Sequence, residues 1–330
     1  MRAYIIRRLL LLIPTALLVS LIVFFTMRMI PGDAVDAIVA RMGAIAGGDI
    51  ELIRSETEHA LGLDVSPPVQ YGRWMGVWPQ EDGSFSGLFQ GDLGNSFWRP
   101  ATVMEEIARR WPVTLQLGIM GLIIGQLIGL PIGIYSAARQ DTWGDYIGRS
   151  FAILCIAVPG FWLGTMVIVF PSIWWGYMPP IMHVPFAEDP IRNLERFIIP
   201  ATILGMAIGG GIMRMTRTMM LEVLRQDYIR TAWAKGLRER VVTIRHALKN
   251  ALIPVISYMG LFLPFLLGGT VVMEQIFVLP GIGSLIVDAA LFRDYPIVSG
   301  VMLFFGIAMV LINLMVDLTY GFLDPRIRYG

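Results

Sequence analysis

Side chains that could carry out chemistry are few in this sequence, and they lie far apart. The histidines, His59, His183 and His246, follow no spacing that would place two of them on one metal ion. The single cysteine, Cys155, lies in an apolar run, forms no internal disulfide, and is most simply a small packing residue. No Ser/His/Asp, Cys/His or HExxH arrangement is present, and no GxxxxGK[ST] loop. We therefore expect no catalytic residue, no metal site and no ATP bound through a Walker motif.

The charged residues that stand out are basic, and they cluster in one segment. The stretch TAWAKGLRERVVTIRHALKNALIP, residues 231–254, contains Arg238, Arg240, Arg245 and Lys249 and lies between two long apolar stretches. The net charge of the whole chain is only +1, so the distribution of charge is informative where its total is not. This segment is the first candidate for a functional surface.

The same segment has the periodicity of an amphipathic helix, with basic residues on a separate face. A shorter helical piece, RQDYIRTAWAKGL, precedes it. Gly236 separates the two pieces, because glycine accepts the left-handed backbone angles of a tight turn. We predict a helix–turn–helix excursion. The apolar face of its second helix is predicted to consist of Leu237, Val241, Ile244, Leu248 and Ala251.

Three functions are compatible with a basic amphipathic helix. The helix lies on anionic lipid, or it binds nucleic acid, or it docks a cytoplasmic partner. Nothing else in the sequence supports nucleic acid. The choice between lipid and a partner depends on the rest of the chain.

The composition indicates a membrane protein. Of 330 residues, 55% are hydrophobic and 15% are charged, and the mean hydropathy is +0.65. An average soluble protein has roughly 25% charged residues. The apolar residues form long unbroken runs, and one crossing of a bilayer needs about 20 residues. We predict an all-α polytopic membrane protein with about six transmembrane helices, near residues 9–27, 113–137, 151–174, 197–215, 253–273 and 297–319.

The first apolar run follows Arg2, Arg7 and Arg8, as in a secretory signal sequence. The run is longer than the apolar region of a typical signal, and no clear A-x-A cleavage site follows it. We predict an uncleaved first transmembrane helix, in which Pro14 is tolerated. A cleaved signal is the alternative.

Lysine and arginine residues predict the orientation. With a cytoplasmic N-terminus, sixteen of them lie inside, whereas the short outer loops carry Arg192, Arg196 and Arg293. Both termini are then cytoplasmic. The predicted divisions are an N-terminal transmembrane helix at 1–30, an extracytoplasmic segment at 31–112, a five-helix core at 113–319 that includes a cytoplasmic basic loop at 216–252 and an outer loop at 274–296, and a cytoplasmic tail at 320–330.

No predicted span has an Asp, Glu, Lys or His near its middle. Glu274 falls just past the outer end of the fifth span, and Asp317 near the inner end of the sixth. Ion-coupled carriers and proton pumps usually need such groups within the membrane. We infer that energy enters this protein from elsewhere.

The basic loop resembles the cytoplasmic coupling loop, or EAA loop, of the membrane subunits of ABC importers. Arg230-Thr231-Ala232 stands where that family has Glu-Ala-Ala, and Gly236 stands at its glycine four residues after Ala232. The sequence YIRTAWAKGL…RHALKNALIP resembles the dipeptide/oligopeptide branch, of which this departure from Glu-Ala-Ala is typical.

Further segments resemble the same branch, in order, along nearly the whole chain. Their order and spacing make the resemblance specific, although each alone is weak. They are YIIRRLLLLIPTALLVSLIVFFTMRMIPGDAV, with Ala34 where proline is common, LGLDVSPPVQY, GDLGNSF, VPGFWLG, EQIFVLPGIGSLIVDAALFRDYPIVSG and DLTYGFLDPRIR.

The resemblance implies a permease subunit that imports peptides or a related small solute by alternating access. It implies a second permease subunit, usually a different chain, two ATPase subunits that bind ATP and Mg²⁺, and an extracytoplasmic substrate-binding protein. It implies a multi-pass protein of the bacterial inner membrane, surrounded by lipid, with no cofactor and no enzymatic activity of its own. A stand-alone channel or carrier is one alternative. A non-transporting scaffold that recruits a cytoplasmic protein through the basic loop is another.

Two groups of residues are candidate sites. The resemblance implies that an ATPase docks on the loop around Gly236, through Tyr228, Ile229, Arg230, Thr231, Ala232, Trp233, Lys235, Gly236, Leu237 and Arg238. The second group surrounds a helix at 282–291 that is too short to span the membrane. It either contacts the binding protein near the outer gate or merely joins two spans, and its residues are Pro280, Gly281, Gly283, Asp288, Arg293 and Asp294.

Overall fold

The computed structural model describes residues 2–29, 63–177, 180 and 182–323, together with residues 35, 39, 51, 54, 55, 58 and 59. The predicted turn after the first span, much of the extracytoplasmic segment before residue 63, and residues 324–330 of the predicted tail lie outside the described residues. The helices are α1 (Arg2–Met29), α2 (Pro67–Met75), α3 (Val103–Ala138), α4 (Trp143–Ala157), α5 (Gly160–Trp175), α6 (Pro190–Leu224), α7 (Asp227–Ala234), α8 (residues 239–260), α9 (Phe262–Ile276), α10 (Ile282–Leu291) and α11 (Tyr295–Leu323).

Several of these helices are suited to a membrane. In the part of the chain that the structure describes, five helical stretches are long and apolar enough to cross one, and α4 with α5 makes a sixth if that bent pair is one span. This confirms the predicted all-α membrane fold. The five are Leu9–Met29, Val103–Ala138, Pro190–Leu224, Glu239–Pro264 and Tyr295–Val316.

The predicted third span is broken. α4 and α5 meet at an angle of 91° on either side of Val158 and Pro159. Val158 is extended, with φ −80° and ψ 121°, because the ring of the following proline disfavours the helical conformation. Pro159 also lacks the N–H that would continue the hydrogen-bond ladder. The apolar run predicted as a span near 151–174 thus consists of two helices with a break between them.

The chain divides into two compact units. The first consists of residues 1–5, 112–284 and 311–330, and the second of residues 6–111 and 285–310. In the first unit α6 is the most buried candidate span. It extends beyond the predicted 197–215, and it begins where Asp189 accepts hydrogen bonds from the N–H groups of Ile191 and Arg192, each 3.1 Å long.

Glycines bring α3 and α6 into direct backbone contact within the first unit. A Cβ added to Gly125 would lie 3.0 Å from the carbonyl oxygen of Gly205. A Cβ added to Gly129 would lie 2.6 Å from the carbonyl oxygen of Gly209. Small residues permit such close approach of membrane helices, which then associate by van der Waals packing. The adjacent apolar core contains Val113, Leu117, Phe197, Ala201, Ile203, Leu204, Met273, Phe277 and Leu279.

Aromatic residues organise the second unit. Phe24 of α1 lies edge-on to Tyr71 of α2, with ring centroids 5.2 Å apart, and 5.8 Å from Trp74. The hydroxyl groups of Ser20 and Tyr71 are hydrogen-bonded at 2.8 Å. These contacts place α2 against α1 although about forty residues separate them in sequence.

Candidate coupling site

The basic loop contains a short amphipathic helix, α7. Ile229 is fully buried and Ala232 is 7% exposed, and residues three apart lie on the same face of a helix. Arg230, Thr231 and Trp233 are exposed on the other side. One face of α7 is thus buried within the first unit, and the other faces outward.

An apolar cluster holds the buried face of α7. Met220 and Val223, near the end of α6, supply part of it, so α7 packs against the helix that precedes it. Burial of one isoleucine side chain contributes about 1.5–3 kcal/mol. α7 is therefore fixed to α6 and α8. The members of the cluster are Ala137, Met220, Val223, Ile229, Ala232, Val242, Ala247 and Ala251.

Gly236 makes the turn that follows α7. Its φ is +76°, in the left-handed region. Its N–H donates to the carbonyl of Trp233 at 2.9 Å, and the N–H of Leu237 reaches back to Ala232 at 3.4 Å. This confirms the predicted turn and the reason for glycine there.

The helix after the turn does not present the predicted apolar face. Residues Val242–Leu248 are π-helical, and the i→i+5 bonding of a π-helix widens the turn. Val242, Ala247 and Ala251 are buried as a result, whereas Ile244 is 49% exposed. Of the predicted apolar stripe, Ala251 is buried, Val241 and Leu248 are half-buried, and Leu237 and Ile244 are exposed. The stripe assumed the spacing of a regular α-helix, whereas Leu237 precedes the helix and Ile244 lies in its π-helical part.

Tyr228 joins α7 to α8. The side-chain amide of Asn250 donates to its hydroxyl oxygen at 2.7 Å, and the hydroxyl donates to the carbonyl of His246 at 3.4 Å. The ring of Tyr228 nevertheless stays 40% exposed. It combines a positioning contact with an accessible surface.

The structure therefore separates the ten predicted docking residues into two groups. Ile229 and Ala232 are buried and anchor α7, so they do not themselves form a surface that a partner could touch. The remaining residues define the outer face of the basic loop: Tyr228, Arg230, Thr231, Trp233, Lys235, Gly236, Leu237 and Arg238.

A buried carboxylate that the sequence analysis did not assign to a site holds the outer loop. Glu274 accepts a hydrogen bond from the hydroxyl of Thr114 at 2.8 Å and another from the N–H of Ser284 at 2.9 Å. The oxygen of Thr114 in turn accepts from the N–H of Ile282 at 2.8 Å. The first N–H groups of a helix have no partners within it, and they favour a negative charge. Glu274 thereby caps the start of α10.

Arg196 fixes the turn between α9 and α10. Its guanidinium is buried and donates to the carbonyl of Val278 at 2.6 Å. Val278 has a φ of +52°, which is unusual for a β-branched residue. From the sequence, Arg196 is predicted only to be a charge in an outer loop.

The predicted outer residues before α10 shape this turn. Gly281 and Gly283 are buried, and a Cβ added to Gly281 would lie 2.3 Å from the carboxyl carbon of Glu274. Pro280 is half-buried beside them. The two glycines therefore cannot themselves contact a binding protein.

The other predicted outer residues belong to the second unit. Asp294 is 2% exposed and accepts hydrogen bonds from the hydroxyl of Ser96 and, at 3.3 Å, the N–H of Phe97. Asp288 lies 3.6 Å from Arg99. Arg293 is exposed. Asp294 is thus a structural residue, while Asp288 and Arg293 remain accessible.

His59 has charged neighbours that its position in the sequence did not reveal. Its Nδ1 lies 2.8 Å from Asp64, and its Nε2 lies 3.5 Å from Glu81. The hydrogen bond to Asp64, then the charge of Glu81, raise the pKa of His59 above its ordinary value. Each ring nitrogen faces a different carboxylate, which suits a protonated imidazole between two acids. The absence of a metal site stays a prediction.

Comparison with known families identifies the class of protein to which this fold and loop belong. Residues 129–329 match the family described as the binding-protein-dependent transport system inner membrane component, and residues 1–118 match the N-terminal region of such membrane components. The chain therefore belongs to the family of inner membrane components of binding-protein-dependent transport systems, the membrane subunits of ABC importers. The predicted family and membrane location are confirmed.

Individual relatives are similar over the whole chain. A peptide transport system permease protein of Brucella abortus (strain 2308) is 41% identical over 329 residues, covering 100% of both chains. A glutathione transport system permease protein of Pectobacterium atrosepticum is 38% identical over 329 residues, covering 99% of both. A glutathione transport system permease protein of Salmonella typhi is 37% identical over 326 residues.

One solved structure has the same fold. It is the crystal structure of an amino acid ABC transporter with histidines, which aligns with a TM-score of 0.52 and covers 66% of this chain and 93% of its own. The sequence identity is 11%. The comparison therefore supports the fold of the permease core and nothing finer.

Proposed function

We propose that this chain is one of two permease subunits of an ATP-driven importer of peptides or closely related solutes. The observation that carries the proposal is the outer face of the basic loop, held outward by the burial of Ile229 and Ala232. Such a short, rigid helix is the kind of element that inserts into a groove of a partner. The partners are two ATPase subunits, a second permease of different sequence, and an extracytoplasmic binding protein.

The mechanism is alternating access driven from the cytoplasmic side. Both termini of the chain are cytoplasmic, and so is the basic loop. ATP and Mg²⁺ bind to the ATPase subunits, and this chain binds no cofactor and catalyses no reaction. Closure of the ATPase pair on ATP displaces α7. Since α7 is packed on the end of α6, its displacement shifts the equilibrium between inward-open and outward-open states.

The proposed substrates are short peptides. The relatives over the full chain are named as permeases for peptides and for glutathione, and glutathione is itself a small peptide. Asp288 and Arg293, which are accessible in the second unit, are the proposed contacts with the binding protein that delivers them. Pro280, which is half-buried in the first unit, is a separate candidate contact. A stand-alone channel would need no outward docking helix. A scaffold would need one, but it would not need that helix to be tied to a buried transmembrane helix.

The test is purification of the tagged chain from its native membranes in mild detergent, with mass spectrometry of the proteins that accompany it. The variant Arg230→Ala/Trp233→Ala removes two side chains of the outer face. Truncation of a central aromatic anchor commonly weakens an interface by 2 kcal/mol or more, about 30-fold. We expect the wild type to bring down ATPase subunits and a second permease, and the variant to lose only the ATPase subunits.

Trp143→Ala is the matched control, because Trp143 is 84% exposed in α4, outside the basic loop. It should retain every subunit. The purified wild-type complex should hydrolyse ATP faster when its binding protein and a dipeptide are added. A chain that purifies alone, or that passes solute through vesicles without ATP, would contradict the proposal and favour a channel.

A further inference from the structure

A buried ion pair holds two helices of the first unit together. The Asp145 side chain in α4 is fully buried, and the Arg217 side chain in α6 is 16% exposed. The guanidinium of Arg217 makes two parallel hydrogen bonds to the carboxylate, from Nε at 2.8 Å and from Nη2 at 2.7 Å. This fork geometry is specific to arginine, since a lysine ammonium cannot reproduce both bonds.

Three further groups complete the surroundings of Asp145. The hydroxyl of Ser136 in α3 donates to one carboxylate oxygen. The backbone N–H of Asp141, in the turn between α3 and α4, donates to the other at 3.0 Å. Arg149 lies one turn further along α4, with its Nε 3.5 Å from the carboxylate. The side chain of Asp145 in α4 is thus hydrogen-bonded to both α3 and α6.

This point lies close to the helix that contacts the ATPase in the proposed function. Arg217 precedes Leu224, the end of α6, by seven residues, or about 10 Å of helix. Met220 and Val223 lie between them and belong to the same apolar cluster as Ile229 and Ala232 of α7. On the α3 side, Ala137 follows Ser136 directly and belongs to the same cluster. α7 is therefore connected to the ion pair by two short, buried routes.

Asp145 lies in the first turn of α4, where an acidic residue is common, but its complete burial is not. An aspartate buried at the first turn of an apolar helix is costly unless its charge is fully paired. The accessible α7 face would form without it. Both oxygens of Asp145 accept from Arg217 of α6, one of them also from Ser136 of α3 and the other from the turn before α4. Such an arrangement suits the transmission of force between helices.

We propose that Asp145 and Arg217 are positioning residues for the ATP-driven step. They make α3, α4 and α6 move together when the ATPase subunits displace α7. The inference rests on the proposed function, because it needs α7 to be the helix that receives the displacement. Without the pair, α6 would shift against α4, and hydrolysis would continue with less solute moved.

The experiment uses the complete transporter, reconstituted in vesicles with its binding protein and a labelled dipeptide. Solute imported and ATP hydrolysed are measured on the same sample, and their ratio is the readout. Asp145→Asn keeps the shape but removes the charge, and Arg217→Lys keeps the charge but removes the fork. We expect both variants to assemble and to hydrolyse ATP at a basal rate within about twofold of the wild type. The ratio of solute imported to ATP hydrolysed should fall about tenfold, a typical size for a coupling between sites.

Arg214→Lys is the matched control. Arg214 lies one turn earlier on α6, is exposed, and makes no ion pair within the residues that the structure describes. Its ratio should equal that of the wild type. A role in stability alone would lower the yield and the melting temperature of Asp145→Asn and Arg217→Lys while leaving the ratio unchanged, and that result would overturn the inference.

Ser136→Ala keeps the inference testable if the other variants fail to assemble. This variant keeps the ion pair and removes only the hydrogen bond from Ser136 of α3 to Asp145. The ratio of solute imported to ATP hydrolysed should therefore fall by less than in the other two variants. An unchanged ratio in Ser136→Ala would then count against the inference. A wild-type complex without ATP-driven import would instead contradict the proposed function, whatever the variants do.

Discussion

At the scale of single residues, the buried carboxylates decide the local geometry. Glu274 and Asp145 are both fully buried, and a buried charge is tolerated only where hydrogen bonds and opposite charges replace its water. Glu274 obtains hydrogen bonds from the hydroxyl of Thr114 and from the N–H of Ser284 near the start of α10. Asp145 obtains them from Arg217 and Ser136. The surrounding backbone must fit these groups closely, which explains the small residues beside Glu274.

Substitution of Gly283 tests how closely the backbone packs around Glu274. A Cβ added to it would lie 2.6 Å from the Cα of Val271 and 2.8 Å from a carboxylate oxygen of Glu274. The backbone of α9 cannot move aside without breaking its own packing. We expect Gly283→Ala to destabilise the protein by about 1–3 kcal/mol, the usual cost of overpacking, measured as a lower melting temperature in detergent.

Gly268→Ala is the control for the same substitution. Gly268 lies in α9, with nothing within 4 Å of an added Cβ. Alanine favours helix more than glycine does, so its melting temperature should be equal or slightly higher. If the two variants lowered the melting temperature equally, the close packing around Glu274 would not explain the effect of Gly283→Ala.

At the scale of elements, two packing arrangements set the shape of the first unit. One is the direct contact of α3 with α6 through glycines, and the other is the seating of α7 on the end of α6. The first brings backbones together, and the second buries Ile229. In both arrangements the other helix is positioned against α6. This helix, Pro190–Leu224, extends at both ends beyond the apolar run predicted at 197–215.

The contact of α3 with α6 predicts a graded series of alanine substitutions. A Cβ on Gly129 would meet the carbonyl oxygen of Gly209 at 2.6 Å, whereas one on Gly121 would meet the Leu204 side chain at 3.1 Å. The Leu204 atom is its Cβ, which is fixed to the backbone, but the overlap at 3.1 Å is much smaller than the one at 2.6 Å. Gly129→Ala should therefore lower the melting temperature clearly, by the equivalent of about 1–3 kcal/mol, and Gly121→Ala by less. The reverse order would contradict direct backbone packing.

At the scale of the whole molecule, the orientation in the membrane follows from the distribution of arginine and lysine. The two sides can be tested with single cysteines in a Cys155→Ala background, since Cys155 is buried and easily replaced by a small residue. Gln140→Cys in the turn before α4 should react with a membrane-impermeant maleimide only in inside-out vesicles. Glu188→Cys, also exposed, should react only from the outside. Labelling of both from one side would refute the predicted topology.

Much of the architecture follows from the sequence. The apolar runs indicate the membrane helices, because crossing a bilayer requires a local property: about 20 consecutive apolar residues. The turn at Gly236 is likewise local, since only its own backbone angles demand glycine. The family resemblance extended these local signals to a transporter and to the loop that carries its proposed docking surface.

The tertiary structure alone decided which residues of that loop are accessible and which charges are paired. Ile229 and Ala232 belong to the stretch that resembles a coupling loop but are buried. They share an apolar cluster with residues of α6 and of a π-helical turn, whose register no regular spacing predicts. Asp145 meets Arg217 across 72 residues, and Glu274 meets Thr114 across 160. Periodicity describes one helix at a time, whereas burial and ion pairing depend on which helices become neighbours, and that is settled only when the chain packs.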